Sequence, residues 1–400
     1  MRLNFMQYNY TRLVNDKDEQ KLYEALDSFE TSAYFRTRDA SEARFGFGAT
    51  VTTDTAELLQ ADIAFGGRSF DEQKIKNSTL MNGFWFVPRI AVTMTQTTIT
   101  FSSDESLDFD TWLAQIPNMK AEMVRVISVD DETDWADRTE KLISTLKSKQ
   151  TLKKVVFGRQ QILKLSNKLY LSRLIRGLSS QSNTYHFILK HQDEFYISAT
   201  PERLIKVADG HLTTGAVAGT IQRGDNEQDD MSLGKLLLAS HKNRQEHQYV
   251  VENIQQKLQA MTEKLTVPAD PILLKTQQVQ HLYTPIIGEI DSQYTLVHLM
   301  NQLHPTPALG GVPQKEALAY IQDYERTPRG LFASPMGYLD AEQGGELVVG
   351  IRAMHVNQRS HQATLFAGAG IVSDSTAAQE FKETALKLKA MRQLLKDYSI

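Results

Sequence analysis

The segment TYHFILKHQDEFYISATPERLIKVADGHLTTGAVAG, residues 184–219, constrains the fold more than any other part of the chain. Apolar and polar residues alternate along it in strand-length runs separated by polar turns. Successive side chains of a strand point to opposite faces, so this alternation predicts an antiparallel meander with one face on a core.

The rest of the chain mixes both element types. Glu19 to Glu30 predicts a helix, whereas ATVTT and IAVTMTQTTITF are β-branched runs that predict strands. DRTEKLISTLKSK predicts a helix, KKVVFGR (153–159) a strand and NKLYLSRLIRGLSS another helix. Ser232 to Leu265 predicts one long helix, GGELVVGIRAMHV and ATLFAGAGIV are strands, and Ser375 to Asp397 predicts a closing helix. Runs of strands and helices without a regular βαβ beat predict an α+β fold rather than a doubly wound sheet. The acidic interval from Ser102 to Asp137 offers a domain boundary, but Trp112, Leu113 and MVRVISV argue that part of it packs. The chain shows no internal repeat and no low-complexity tract.

At 400 residues the chain has room for one large domain or two average ones. A net charge of −4 with dispersed Lys and Arg lacks the basic footprint of a nucleic-acid binder, so no nucleic-acid partner is expected. No apolar run approaches the roughly 20 residues that span a bilayer, and MRLNFMQYNYTRLVNDKDEQ lacks the apolar centre of a signal peptide. The expectation is a cytoplasmic protein with no membrane partner. With no cysteine, any metal must be held by oxygen or imidazole.

The stretch LLASHKNRQEHQYVVENI (237–254) puts His241, Glu246 and His247 near a helix start. The histidines lie about 120° apart around a helix and do not converge as in HExxH, so a zinc site is a poor reading. Val250, Ile254, Leu258, Met261 and Leu265 define an apolar stripe at helical spacing, and Glu246 continues it four residues earlier. A carboxylate aimed at a core needs a cation or a proton. Taken alone, a partly solvated acid near the positive helix end is the more ordinary reading. The closing helix repeats the arrangement: Glu380, Glu383 and Lys387 head a face that continues through Ala390 and Leu394. Alone, Glu383 and Lys387 are an ordinary i,i+4 surface pair. Two helices each offering a carboxylate to a core make a reasonable magnesium site with hard oxygen ligands.

Three further features are ambiguous by themselves. Lys154 begins a strand, where lysines usually serve as solvated gatekeepers. Glu202 sits in a Pro-Glu turn with little local packing expected. The glycine-rich pieces AVAGT (216–220), LHPTPALGG (303–311) and LFAGAGIVS (365–373) do not form a dinucleotide fingerprint, since Ser373 stands at the third glycine position. They suit close backbone approach to an anionic ligand.

In order along the chain, KKVVFGR, SATPERL, AVAGT, LLASHKNRQEHQYV, LHPTPALGGVP, GELVVGIRA and LFAGAGIVSDSTAAQEFKETALKLKAM resemble the chorismate-utilising enzymes, and among them the isochorismate synthases. The resemblance covers about residues 137–395, with FGFGA, FGGRSFD and FVPRI as looser matches in the N-terminal part. It implies a single α+β domain over 1–400, the anthranilate synthase component I-like fold, with layered antiparallel sheets flanked by helices and a cleft between them.

The same resemblance assigns roles. Glu246 and Glu383 correspond to magnesium ligands, with Glu380 as an outer helper, and the cofactor is Mg2+. Arg352 and Lys387 are implied to bind the carboxylates of the substrate, chorismate, with backbone around Gly219, Thr220 and Gly368, while Ala308, Leu309 and Phe332 line the ring pocket. The lysine nucleophile of aminodeoxychorismate synthesis is replaced by Ala218. Lys154 therefore stands as the base that takes a proton from the water attacking C2, and Glu202 as the acid that protonates the departing C4 hydroxyl. These roles require a neutral Lys154 and a protonated Glu202. The rival readings are a salicylate synthase, which also eliminates pyruvate, then an anthranilate synthase component I, then a non-catalytic homologue. The branch implies a monomer, or else a dimer, serving menaquinone or siderophore biosynthesis.

Overall fold

The computed structural model describes residues 6–56, 61–119, 122–149, 151–341 and 344–396. Every strand pairing among them is antiparallel. One sheet runs Tyr8–Leu13, Thr98–Ser103, Phe84–Thr95, Glu42–Thr53, Thr31–Arg36, Tyr185–His191, Glu194–Thr200, Ala353–Asn357, Gln362–Ile371, Lys154–Leu165, Val126–Asp131. A second runs Ile63–Gly67, Pro335–Asp340, Gly345–Val349, Arg203–Ala208, His211–Gln222, Val279–Ile290, with Thr262–Thr266 and Ile272–Lys275 sharing its far edge. The first half of Phe84–Thr95 also pairs with Ile63–Gly67 and joins the two.

Period-two alternation builds the layers. Tyr185, Phe187 and Leu189 enter one core while Ile188 enters another, and Ala33 and Phe35 are likewise opposed to Tyr34. The first core lies where the two sheets meet and continues beneath helices His241–Gln259 and Leu296–Leu303. The second covers the outer face of the first sheet with Asp18–Ser28, Leu171–Leu178 and Ala377–Lys396. A third gathers Trp135–Ser148 and Gln314–Tyr324 over the start of Lys154–Leu165. The result is an α+β fold of layered antiparallel sheets flanked by helices.

The predicted meander is present as Tyr185–His191, Glu194–Thr200, Arg203–Ala208 and His211–Gln222. The predicted 232–265 helix is instead two helices and a strand. Glu227–Ala239 ends before Ser240, whose hydroxyl accepts a hydrogen bond from the Asn243 amide and caps a new helix, His241–Gln259. Thr262–Thr266 is a strand, so Leu265 belongs to a sheet and not to the helical stripe. GGELVVGIRAMHV is likewise two strands interrupted at Arg352, whose φ is +50°. The helix predicted at 167–180 shortens to Leu171–Leu178, and the closing helix is Ala377–Lys396, Asp397 lying outside the described residues. The 102–137 interval is no boundary: Phe109–Gln115 is a helix with Trp112 and Leu113 buried, and Val126–Asp131 pairs with Lys154–Leu165. No helix of the described residues is long and apolar enough to cross a membrane.

Candidate active site

A cavity of about 240 Å3 opens where Lys154–Leu165, His211–Gln222 and Gln362–Ile371 meet the helices His241–Gln259 and Ala377–Lys396. Glu202, Gly219, Thr220, Glu246, Ala308, Leu309, Phe332, Arg352, Gly368, Glu380, Glu383 and Lys387 all line it. Lys154 lies just behind this lining and reaches it through Glu246, with Nζ 2.8 Å from Oε1.

Lys154 is not a solvated gatekeeper. It is 1% exposed, because Gly311–Val312 pairs across the start of its strand and closes over it. Glu246 emerges from the helix on the same face as the buried Val250, Ile254 and Leu258. Burial pushes its carboxyl up, but Lys154 and Lys387 outweigh that and hold it below the ordinary carboxylate range.

Facing it, the closing helix presents Glu380, Glu383 and Lys387. Lys387 Nζ lies 2.7 Å from Glu383 Oε1 and donates to the Gly368 carbonyl at 2.7 Å. Burial and the neighbouring Glu383 push Glu380 up to about 7, with Lys242 3.9 Å away as its nearest cation. Each of the three acids thus leans on a lysine, and the described residues form no ready-made cluster of three metal-ligating side chains. The donor set nonetheless suits a hard divalent cation: it is all carboxylate, and the burial and the neighbouring Glu383 that raise Glu380 are what such a cation offsets.

Glu202 contradicts the expectation of a loosely packed turn acid. Its backbone is fixed by bonds from its own N–H to Thr200 Oγ1 at 3.2 Å and from Val349 N–H to its carbonyl at 3.0 Å, and the residue is 6% exposed. Burial pushes its carboxyl up to about 8, against the pull of Lys154 and Lys387. It is therefore protonated at neutral pH.

The remaining lining includes a buried cation and an apolar wall. Arg352 is buried, and burial lowers its guanidinium to about 10 despite the opposing pull of Glu383. The apolar wall is Phe332 stacked on Phe366 at 5.2 Å, with Leu309 and Ala308 beside it. Buried Arg329 anchors that loop, donating to the Leu309 carbonyl at 2.8 Å and the Val156 carbonyl at 2.6 Å.

Two glycines are required by close approach. Gly219 has φ +76° at a register shift in its strand, and a Cβ there would meet Asn243. A Cβ on Gly370 would come within 2.9 Å of both Glu246 Oε1 and Lys154 Cε. Those are flexible side-chain ends, so Gly370→Ala is expected to shift the melting temperature little yet cut kcat at least about tenfold. Melting and steady-state assays on one preparation check this.

The cavity also contains Lys242, Asn243, His281, Ile351 and Phe366, which were not singled out from sequence. His281 carried the one available signal, a Gln-His pair interrupting the buried strand VQHLYTPI.

The chorismate binding enzyme family model matches residues 23–396. The chain is 34% identical over 355 residues to isochorismate synthase MenF of Bacillus subtilis, covering 82% of this chain and 74% of that one. It is 38% identical over 269 residues to the salicylate biosynthesis isochorismate synthase of Pseudomonas aeruginosa, covering 67% of this chain and 56% of that one. Its structure resembles that of MenF, the menaquinone-specific isochorismate synthase of Escherichia coli, with a TM-score of 0.83, 26% identity and coverage of 97% and 94%. Both its sequence and its fold place the chain in the chorismate-binding enzyme family.

Proposed function

We propose that the protein isomerises chorismate to isochorismate, with magnesium as cofactor. The observation that carries this reading is one cavity that holds buried Glu202, its carboxyl raised by burial, with buried Lys154 behind the lining, and that is lined by the cations Arg352 and Lys387 and the carboxylates Glu246, Glu380 and Glu383. The activity itself comes by likeness to the isochorismate synthases of Bacillus subtilis and Escherichia coli.

Chorismate brings two carboxylates, a ring and a hydroxyl leaving group. Arg352 and Lys387 receive the anionic groups, Gly219, Thr220 and Gly368 shape the backbone around them, and Ala308, Leu309 and Phe332 hold the ring. Lys154 removes a proton from the water that attacks C2. The ring double bonds shift, and Glu202 delivers its proton to the C4 hydroxyl, which leaves as water. One water enters and one departs, so substrate and product are isomers.

Glu246 and Glu383, with Glu380 outside them, would hold magnesium, which supplies charge neutralisation and withdraws electron density from the substrate. Lys154 reaches the cavity through Glu246, with Nζ 2.8 Å from Oε1. Glu246 would thus be shared between Lys154 and the cation it would hold.

Pure protein incubated with chorismate and magnesium is expected to consume the chorismate, and EDTA is expected to bring turnover to background until magnesium is restored. No consumption under any metal condition would leave a non-catalytic chorismate binder. Turnover that persists in EDTA would remove the metal from the account.

A further inference from the structure

Within the cavity lining His281 joins Arg352 to Thr220, and the reaction scheme leaves this histidine unused. His281 lies on Val279–Ile290 directly across from Thr220 in the paired strand and is 5% exposed. Its Nε2 is 3.3 Å from Arg352 Nη2, and its Nδ1 is 3.0 Å from Thr220 Oγ1. Among the described residues, this is the side-chain hydrogen bond that the Arg352 guanidinium makes.

Donor and acceptor chemistry fixes the protons. A guanidinium N–H only donates, so Nε2 must offer its lone pair. A neutral imidazole then carries its hydrogen on Nδ1, which faces two acceptors, Thr220 Oγ1 at 3.0 Å and the Gly219 backbone. With Oγ1 already accepting, the Thr220 hydroxyl hydrogen is free to point elsewhere, and Thr220 lines the cavity. Charging the ring is opposed by burial and by Arg352 and Lys387. Arg352 stands at a strand break with its backbone at φ +50°, uncommon for a residue with a Cβ, and His281 is the side chain that contacts its guanidinium there.

We propose that His281 is a positioning residue, locked as the Nδ1–H tautomer, that aims the Arg352 guanidinium and frees the Thr220 hydroxyl to donate to an oxygen of the bound substrate. This rests on the reading of the cavity as the chorismate site, but the tautomer does not. It can be tested first and separately, in protein labelled with 15N histidine, with His281→Gln identifying the resonance. The expected spectrum has a protonated Nδ1 and an unprotonated Nε2; the opposite tautomer or a charged ring overturns the proposal.

The functional arm compares three variants. His281→Leu removes both contacts and is expected to raise KM for chorismate about tenfold or more while changing kcat far less. His281→Gln places an acceptor near the Nε2 position and is expected to recover most of the KM. His281→Asn keeps a donor near the Nδ1 position and is expected to leave KM high. A merely structural histidine would lower the melting temperature and depress all three variants alike. An unchanged KM in the Leu variant, or Gln and Asn variants that cannot be told apart, contradicts the assignment. Inactivity of the unaltered protein toward chorismate would instead count against the functional reading and leave the tautomer result standing.

Discussion

Lys154→Ala is expected to lower kcat by roughly 10²–10⁴-fold, the contribution of one general base, while magnesium-dependent binding of chorismate stays close to that of the unaltered protein. Two facts lead to this split. Lys154 is buried behind the lining of the cavity and contacts it through Glu246, so its loss removes little of the surface that holds the substrate. It also stands beside Gly370, where a narrow gap brings lysine and glutamate together. Single-turnover assays alongside calorimetric titration with chorismate separate the two quantities. Near-normal turnover in the variant would take Lys154 out of the chemistry, and loss of binding in step with turnover would make it a binding residue instead.

Glu202→Gln is expected to cost a similar factor in kcat, because an amide has no proton to give to a departing hydroxyl. Its pH behaviour is more diagnostic. With the carboxyl held at about 8, kcat/KM of the unaltered protein should fall as pH rises through that value, since the acid form is then lost. Stability carries the matching sign. A carboxyl raised in the folded state binds a proton that the unfolded chain has released, so its contribution is full below the unfolded value and is lost as pH rises toward about 8. Glu202→Gln removes that loss, and its stability relative to the unaltered protein should increase from pH 5 to pH 9, by an amount on the order of a few kcal/mol. Denaturant melts at both pH values check this. A variant equally offset at both would show that Glu202 is not protonated by its burial.

The meander was legible because one face of each strand meets a core, which leaves a period of two in the sequence: Tyr185, Phe187 and Leu189 on one side, Ile188 on the other. Glu246 was legible for a related reason, since four-residue spacing from Val250 ties its direction to a buried stripe. The helix break at Ser240 was not, because apolar residues continue at helical spacing on both sides and only the cap marks the change. Leu265 fits that spacing by coincidence, its strand being set by pairing with Val279–Ile290. Lys154 and Glu202 carry no local signal of burial; what covers Lys154 comes from residues 311–312, far along the chain. His281 lies in the first half of its strand, which is buried on both faces, so alternation marks nothing there and only the Gln-His pair stands out.

The most direct test of the account is the identity of the product that the pure protein forms from chorismate and magnesium, read by NMR with a parallel assay for pyruvate. The account predicts isochorismate, formed only with magnesium and without stoichiometric pyruvate. Salicylate with one equivalent of pyruvate would contradict it by showing that the same cavity carries an elimination beyond the isomerisation.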